Sequence, residues 1–478
     1  MMMDFGCLKK VYFLGIGGIG MSSLARWFAA SGATVSGYDR APSPLISQLI
    51  TEGIDIHFDE DIQAIPSVPD LVIYTPAIHE SHAEYQFYRS SGVPMMKRAE
   101  VLGHIVRPFR TIAISGTHGK TTISTLIAHL MHQGGRNILA FLGGISKNYH
   151  TNYLSTPDLV KKYPFIHCVP PEVSGEASHV TCIVEADEYD RSFLHLDPDM
   201  IVITSIDPDH LDIYESQDHL VRSFQQFASH IRNDGILILK KGVHLKTDFN
   251  HSIHTFSYSW NQEADFYARH IRIKDGLTIF DLQTPTGSVK ELTLGIPGTF
   301  NLENAVAALA VAYLEGIPAD TLVRSLREFQ GVVRRFDFKI RRSDLIYIDD
   351  YAHHPEELRA CIMAVKELFP GKRITGIFQP HLYSRTRDLA DGFAASLSLL
   401  DELLLMEIYP AREVPIPGID ASILLPKVTL KKKKLVTRNQ LLRELIKGKY
   451  EVLLTLGAGD IDQMVTPIEA LFTKPAVV

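Results

Sequence analysis

The sequence predicts an α/β protein of three domains, each built on a largely parallel sheet with helical crossovers. Three observations predict this class. The chain has 478 residues, and at roughly 150 residues per domain that is about three domains. Starts in which an apolar strand runs through a turn into a helix recur three times, near residues 11, 111 and 345. Hydrophobic residues make up 45% and charged residues 22%, which excludes disorder as the main state and leaves material for more than one core.

Lysine and arginine number 48 against 55 acidic residues, a net charge of −7. That balance excludes a generally nucleic-acid-binding surface, while a local basic cleft can still hold phosphates. The four cysteines (Cys7, Cys168, Cys182, Cys361) are scattered and form no CxxC pair, so neither a disulfide framework nor a structural zinc site is expected. The first ten residues lack the apolar core of a secretory signal. The longest apolar run, residues 305–314, is shorter than the ~18 residues of a membrane span and reads as a buried helix. A cytoplasmic chain without membrane insertion, a monomer or weak homodimer, is the expectation.

The first domain opens with KKVYFLGIGGIGMSSLARWFAASGATVSGYD. Residues 11–14 predict a strand, the glycines a turn, the next stretch a helix through Ala30, and residues 34–38 a second strand ending at Asp39. Strand, helix, strand is a Rossmann-like unit. Gly15, Gly17, Gly18 and Gly20 fall in a G-x-G-x-x-G turn, and Asp39 follows near the acidic position that takes a ribose in dinucleotide folds. This predicts a diphosphate ligand and leaves NAD, FAD and a UDP-sugar open; the competing reading is a tight turn needed only for helix packing. Further strands are expected at 71–74 and 93–96, and the domain closes at residue 107.

The second domain, residues 108–333, starts with TIAISGTHGKTTISTLIAHLMHQGG. A strand at 112–115 leads into Gly116, Thr117, His118, Gly119, Lys120, Thr121 and Thr122, then a helix ending at Gly134-Gly135. Glycines let the backbone wrap phosphate oxygens with its N–H groups, and the helix N-terminus adds its dipole. Lys120 is suited to the β- and γ-phosphates and the Thr121 hydroxyl to Mg²⁺. The loop is shorter than the common G-x-x-x-x-G-K-[ST] spacing. Strands are expected at 181–185 and 200–205, and a helix after Gly298; residues 154–180, rich in proline and polar residues, read as a loop or insertion. EADEYD follows the first of these strands, making Glu185 the preferred metal ligand. DPDHLD follows the next, making His210 a candidate for metal or phosphate. Asn301 and Asn304, three apart, share a helix face and suit a base or phosphate, or simply capping.

The third domain, residues 334–478, has a strand at 345–348 ending in Asp349-Asp350, a helix at 356–368, and strands at 373–378, 402–406 and 452–456. Arg334-Arg335 at the boundary suits either a phosphoryl group or a salt bridge. Asp349-Asp350-Tyr351-Ala352-His353-His354 ends a strand, but two adjacent histidines without a third ligand do not make a zinc site. His381, Arg385 and Arg387 suit a carboxylate or phosphate. Lys431 to Lys434 read as a solvated edge or loop.

In order along the chain stand GIGGIGM, GTHGKTT, EADEYD, DPDHLD, NLENAVAAL, RRFD, DDYAHHP and FQPHLYSRTRD. Together they resemble the Mur ligase family, from about residue 11 to residue 460. The resemblance implies a UDP-binding Rossmann-like domain, a central ATPase domain and a C-terminal Rossmann-like domain. It implies ATP-dependent joining of L-alanine to UDP-N-acetylmuramate in bacterial peptidoglycan synthesis, with Mg²⁺. Residues 116–122 match the family's ATP loop; Glu185 and His210 match its Mg²⁺ positions. Asn301, Asn304, Arg335 and Asp350 match positions that serve ATP or organise the closed site, and His381 and Arg385 match a substrate-facing block. Lys120, Glu185, His210 and Arg335 are the implied catalytic group. Leu382 departs from the family, which often carries arginine there, and residues 155–180 look unlike its pattern. With His210 in the region where sister ligases use a carbamylated lysine, no carbamylation is expected.

An unactivated carboxylate does not acylate an amine in water, so ATP must first make it an acyl phosphate, with cations offsetting the meeting of two anions. His353 is a candidate acceptor for the amine proton. The rival readings are a recycling ligase that adds a preformed peptide to the same sugar nucleotide, a nicotinamide oxidoreductase using the first glycine turn, and a non-catalytic nucleotide sensor.

Overall fold

A computed structural model describes residues 8–473 except 64, 67, 157–179, 208–213, 215, 247–250, 275 and 412. The chain forms three sheets in two compact units: residues up to 296 with 302–330, and 297–301 with 331 onward.

The first sheet has five parallel strands in the order β3-β2-β1-β4-β5. These are β1 (Lys10–Leu14), β2 (Thr34–Tyr38), β3 (Asp55–His57), β4 (Leu71–Tyr74) and β5 (Met95–Lys97). Helices α1 (Ile19–Ala30), α2 (Pro44–Thr51), α3 (Ala83–Ser91) and α4 (Arg98–Val106) complete it. Val11 to Leu14 are all buried, as an apolar run covered on both faces must be. Strand order reverses around β1, so the glycine turn after it lies at the switch point where such sheets bind ligands. The strand expected at 93–96 starts at Met95 instead, because Pro94 precedes it and supplies no N–H to a ladder.

The second sheet has ten strands in the order β15-β14-β13-β12-β11-β10-β6-β9-β7-β8. They are β6 (Arg110–Ser115), β7 (Asn137–Phe141), β8 (Tyr153–Ser155), β9 (Val180–Glu185), β10 (Met200–Ile203), β11 (Gly235–Lys240), β12 (Ile253–Ser259), β13 (Phe266–Lys274), β14 (Leu277–Thr284) and β15 (Gly287–Leu294). Its helices are α5 (Lys120–Gln133), α6 (Gln217–Ser229), α7 (Thr299–Leu314) and α8 (Ala319–Glu328). The middle strands are parallel; β8 and the β13–β15 meander add antiparallel edges. Two expectations are corrected here. Leu154 and Ser155 belong to the edge strand β8, which pairs with β7, and Val180 opens β9; most of the loop expected between them lies outside the described residues. The strand expected to reach residue 205 ends at Ile203, beyond which Thr204 and Ser205 turn to hold the phosphate loop.

These two sheets share a core. Trp27, Phe28, Phe109, Phe193, Phe224 and Phe227 belong to one continuous buried cluster, with the Phe193 and Phe227 rings 4.7 Å apart. Each such side chain contributes about 1.5–3 kcal/mol, so both sheets behave as one compact unit. On the far face of the central sheet, residues 305–312 of α7 are all buried, as the alanine-rich run predicts.

The third sheet has the order β16-β17-β21-β18-β19-β20: β16 (Asp337–Arg341), β17 (Ile346–Asp350), β18 (Ile374–Phe378), β19 (Glu402–Met406), β20 (Lys433–Val436) and β21 (Val452–Leu456). All pairs are parallel except β16 with β17. Helices α9 (Pro355–Leu368), α10 (Tyr383–Asp388), α11 (Ala390–Leu397), α12 (Arg438–Lys447) and α13 (Asp462–Thr473) flank it. Asp349 and Asp350 lie inside β17 rather than beyond it. The lysine run runs onto the edge strand β20, where charge discourages strand addition. Among the described residues no helix is long and apolar enough to cross a membrane.

Candidate active site

The phosphate loop between β6 and α5 is held from both sides. Gly116 and Gly119 have φ of 123° and 84°, the region that favours glycine. A Cβ on Gly116 would lie 2.2 Å from Thr204 Oγ1, and one on Gly119 would lie 2.4 Å from Asn304 Oδ1. Thr117 N donates to Ser205 O at 3.1 Å, and Thr117 Oγ1 both accepts from Asp207 N at 2.9 Å and donates to Asp207 O at 3.1 Å. His118 N donates to Ser205 Oγ at 3.3 Å, and Thr204 Oγ1 donates to His118 O at 2.5 Å. His118 Nε2 is 3.6 Å from the Asp207 carboxylate. The start of DPDHLD therefore braces the loop; His210 itself lies outside the described residues. Thr121 and Thr122 are buried in the first turn of α5.

Lys120 opens α5 and turns back over its own loop. Its Nζ donates to Gly116 O at 2.7 Å and to the two carboxylate oxygens of Glu188 at 2.9 and 2.8 Å. Burial works against the ammonium, but the charges of Glu188, Asp187 and Glu185 more than offset it and raise its pKa above the usual lysine value. Glu185 ends β9, and its carboxylate lies on Gly143, where a Cβ would sit 2.1 Å from Oε2. Hydroxyl and carboxylate oxygens at Thr121 and Glu185 are the hard donors Mg²⁺ takes, and the absent Gly143 side chain leaves that carboxylate its place. These residues fit the ion.

The G-x-G-x-x-G turn after β1 has the expected form. Gly15 has φ 85°; Gly15 N and Ile16 N donate to Tyr38 O at 2.8 and 3.0 Å. A Cβ on Gly17 would meet Ile46 Cδ1 at 2.6 Å. Gly18 is the N-cap of α1, and no side chain caps that helix end. Asp39 Oδ2 accepts from Gly17 N at 2.7 Å, so its carboxylate ties β2 to the turn. Burial raises the Asp39 pKa, with the backbone N–H groups of Gly17, Arg40 and Ala41 opposing it.

Several residues at this site carry no motif of their own. Arg98, at the start of α4, lies over Gly20: a Cβ there would be 2.7 Å from Arg98 Nη1. Arg98 also stands 3.9 Å from Asp187, and Lys97 is 3.0 Å from Asp190. The EADEYD segment is thus linked to the first glycine turn on one side and to Lys120 on the other. Asn152 Nδ2 donates to Ile19 O at 2.6 Å and to Ser22 Oγ at 2.9 Å, and Asn152 accepts from Arg26. The only sequence signal for Glu188 is its place in EADEYD, three residues after Glu185; Arg98 and Asn152 belong to no motif.

The second unit gathers the other candidates. Asn301 is buried and its Nδ2 donates to Pro297 O at 2.6 Å, which ties the first turn of α7 to the segment before it. Arg334 is structural: its Nε is 3.1 Å from Asp349 and its Nη2 donates to Gly457 O at 2.6 Å. The Arg335 guanidinium lies 4.8 Å from the Tyr351 ring centre. Asp350 accepts from Phe336 N at 2.7 Å and Ala352 N at 2.8 Å. Burial pushes its pKa up to about 6, with Arg335 pulling the other way. His353 and His381 meet edge to face at 6.0 Å, and His381 stacks on Tyr409 at 5.8 Å. Leu382 is buried with φ 70° and precedes α10, which carries Arg385 and Arg387.

The chain matches three family models in sequence order. The Mur ligase family catalytic domain matches residues 10–110, the Mur ligase middle domain residues 114–312, and the Mur ligase glutamate ligase domain residues 334–459. The UDP-N-acetylmuramate--L-alanine ligase of Parabacteroides distasonis is 47% identical over 99% of both chains. That of Flavobacterium johnsoniae is 44% identical over 99% of this chain and 100% of its own. The crystal structure of the UDP-N-acetylmuramate-alanine ligase of Thermotoga maritima superposes with a TM-score of 0.77 at 26% identity, covering 96% of this chain and 99% of that one. Matched from its first glycine turn to its last strand, the chain belongs to the Mur ligase family.

Proposed function

We propose that the chain joins L-alanine to the lactyl carboxylate of UDP-N-acetylmuramate, with ATP converted to ADP and phosphate, in peptidoglycan synthesis. The observation that carries this reading is the end-to-end likeness to alanine-adding ligases. A carboxylate oxygen attacks the γ-phosphorus and ADP leaves; the alanine amine then attacks the acyl carbon, the C–O bond breaks and phosphate departs. Two anions meet in the first step, and Lys120 reduces their repulsion. Residues 116–122 with Asn304 form the proposed ATP loop, and we assign Asn301, Arg335 and Asp350 to the same nucleotide. Thr121, Glu185 and His210 are the residues proposed for Mg²⁺, which when bound neutralises phosphate charge.

Gly15, Gly17, Gly18, Gly20 and Asp39 are assigned to the UDP-sugar. Asp39 serves there by holding the turn through Gly17, so that the α1 N-terminus faces the diphosphate. His381 and Arg385 are assigned to substrate carboxylate or phosphate. His353 is the proposed acceptor of the amine proton. Its Nδ1 faces two acceptors, Tyr351 O at 3.0 Å and Glu357 Oε2 at 3.3 Å, an arrangement that favours a proton on Nδ1. The proposed domain limits are residues 107 and 333. Use of ATP favours the cytoplasm, as a monomer or weak homodimer.

ADP release tests the reading. It should require UDP-N-acetylmuramate and L-alanine together, and a preformed peptide should compete poorly with alanine. ATP turnover indifferent to either substrate sinks it. The second phosphate loop has no task in a nicotinamide oxidoreductase.

A further inference from the structure

The phosphate-loop lysine is fully engaged by oxygens of its own chain. An ammonium has three N–H donors and no acceptor, and Lys120 Nζ already serves three oxygens: Gly116 O, Glu188 Oε1 and Glu188 Oε2, at 2.7, 2.9 and 2.8 Å. A phosphate oxygen can therefore gain a hydrogen bond from Lys120 only by taking one from these partners. The Gly116 carbonyl belongs to the loop backbone; the Glu188 carboxylate is the partner with rotamers to move.

Glu188 is not a surface residue that happens to fall near a lysine. It is 2% exposed, and its backbone is fixed. Its carbonyl accepts from Arg191 N at 3.0 Å and from the Tyr214 hydroxyl. Around it Tyr189 N donates to Asp187 Oδ1 at 3.1 Å, and Phe193 N to Asp187 O at 3.0 Å. Asp190 and Arg191 sit at φ 52° and 53°, a conformation that costs non-glycine residues energy and persists only where surroundings enforce it. Lys97 and Arg98 hold Asp190 and Asp187 from the other side. The segment presents one carboxylate to one ammonium.

We propose that Glu188 is a positioning residue for the ligation: its carboxylate stands in for phosphate on Lys120, and ATP binds by displacing it. The inference rests on the assignment of residues 116–122 to ATP. Exchange makes ATP affinity lower than the loop alone would give, because a buried ion pair must be broken. It also keeps the Lys120 side chain folded over the loop, ready for the nucleotide.

The test uses the full chain and ATP itself. In calorimetric titrations Glu188→Gln should bind ATP about tenfold more tightly than wild type, since the competitor charge is gone. Without nucleotide the same variant should melt below wild type, and saturating ATP should close that gap. A merely structural role lowers the melting point equally with and without ATP, and that result overturns the proposal, as does unchanged or weaker ATP binding. Should the variant fail to fold, the wild-type structure with ATP decides. Lys120 must then lie on phosphate oxygens and beyond 3.5 Å from the Glu188 carboxylate; a retained pair refutes the exchange. Wild type that does not bind ATP at all instead refutes the nucleotide assignment.

Discussion

Asp350 shows how one buried side chain couples chemistry to stability. Its pKa stands at about 6 in the folded chain against about 3.9 for a free aspartate. Between those values the folded state keeps a proton that the unfolded state has lost. The stabilisation from this group is therefore complete below about pH 4 and lost as pH rises through 6. The unfolding free energy of wild type relative to Asp350→Asn should fall by on the order of 3 kcal/mol from pH 4 to pH 7, read by urea denaturation; a flat difference contradicts the burial argument. At this scale the sequence was legible where a motif names its residue: Gly116, Lys120 and Glu185 stand where the pattern puts them. It was not legible for Glu188, Arg98 or Asn152, whose roles arise from partners 68, 78 and 130 positions away. Asp39 was legible as important, but sequence could not show that its carboxylate answers Gly17 N.

At the scale of elements, the phosphate loop depends on backbone that only glycine accepts cheaply. Gly116→Ala places a methyl group 2.2 Å from Thr204 Oγ1 at φ 123°. It should lower stability by about 1–3 kcal/mol and abolish measurable ATP binding, checked by thermal melting and titration calorimetry; an alanine variant that binds ATP normally contradicts the close approach. Buried parallel strands were readable to the residue at Leu71–Tyr74, Glu402–Met406 and Val452–Leu456, because both faces are covered and the runs are almost wholly apolar; Thr34–Tyr38, with Thr34 exposed and Ser36 half-buried, was readable from its place in the strand-helix-strand unit. The β13–β15 meander was not. Residues 269–274 of β13 are exposed, with arginine, histidine and lysine among them, so no apolar run marks the strand. The edge strands β8, β16 and β20 were missed for the same reason: they are short, and their polar residues match loop composition.

Across the whole molecule, the two glycine turns lie in one compact unit, joined by a shared core and by the segment that carries Glu188. That arrangement serves a reaction in which a sugar nucleotide supplies the carboxylate and ATP the driving force. The acyl phosphate between them is sensitive to water, and shielding it is what large multidomain ligases achieve beyond simple binding. The direct measurement is the fate of oxygen. With ¹⁸O in the lactyl carboxylate of UDP-N-acetylmuramate, turnover with ATP and L-alanine should place one labelled oxygen in inorganic phosphate for each ADP formed. Phosphate that emerges unlabelled while the amide product accumulates would contradict attack of that carboxylate on the γ-phosphorus.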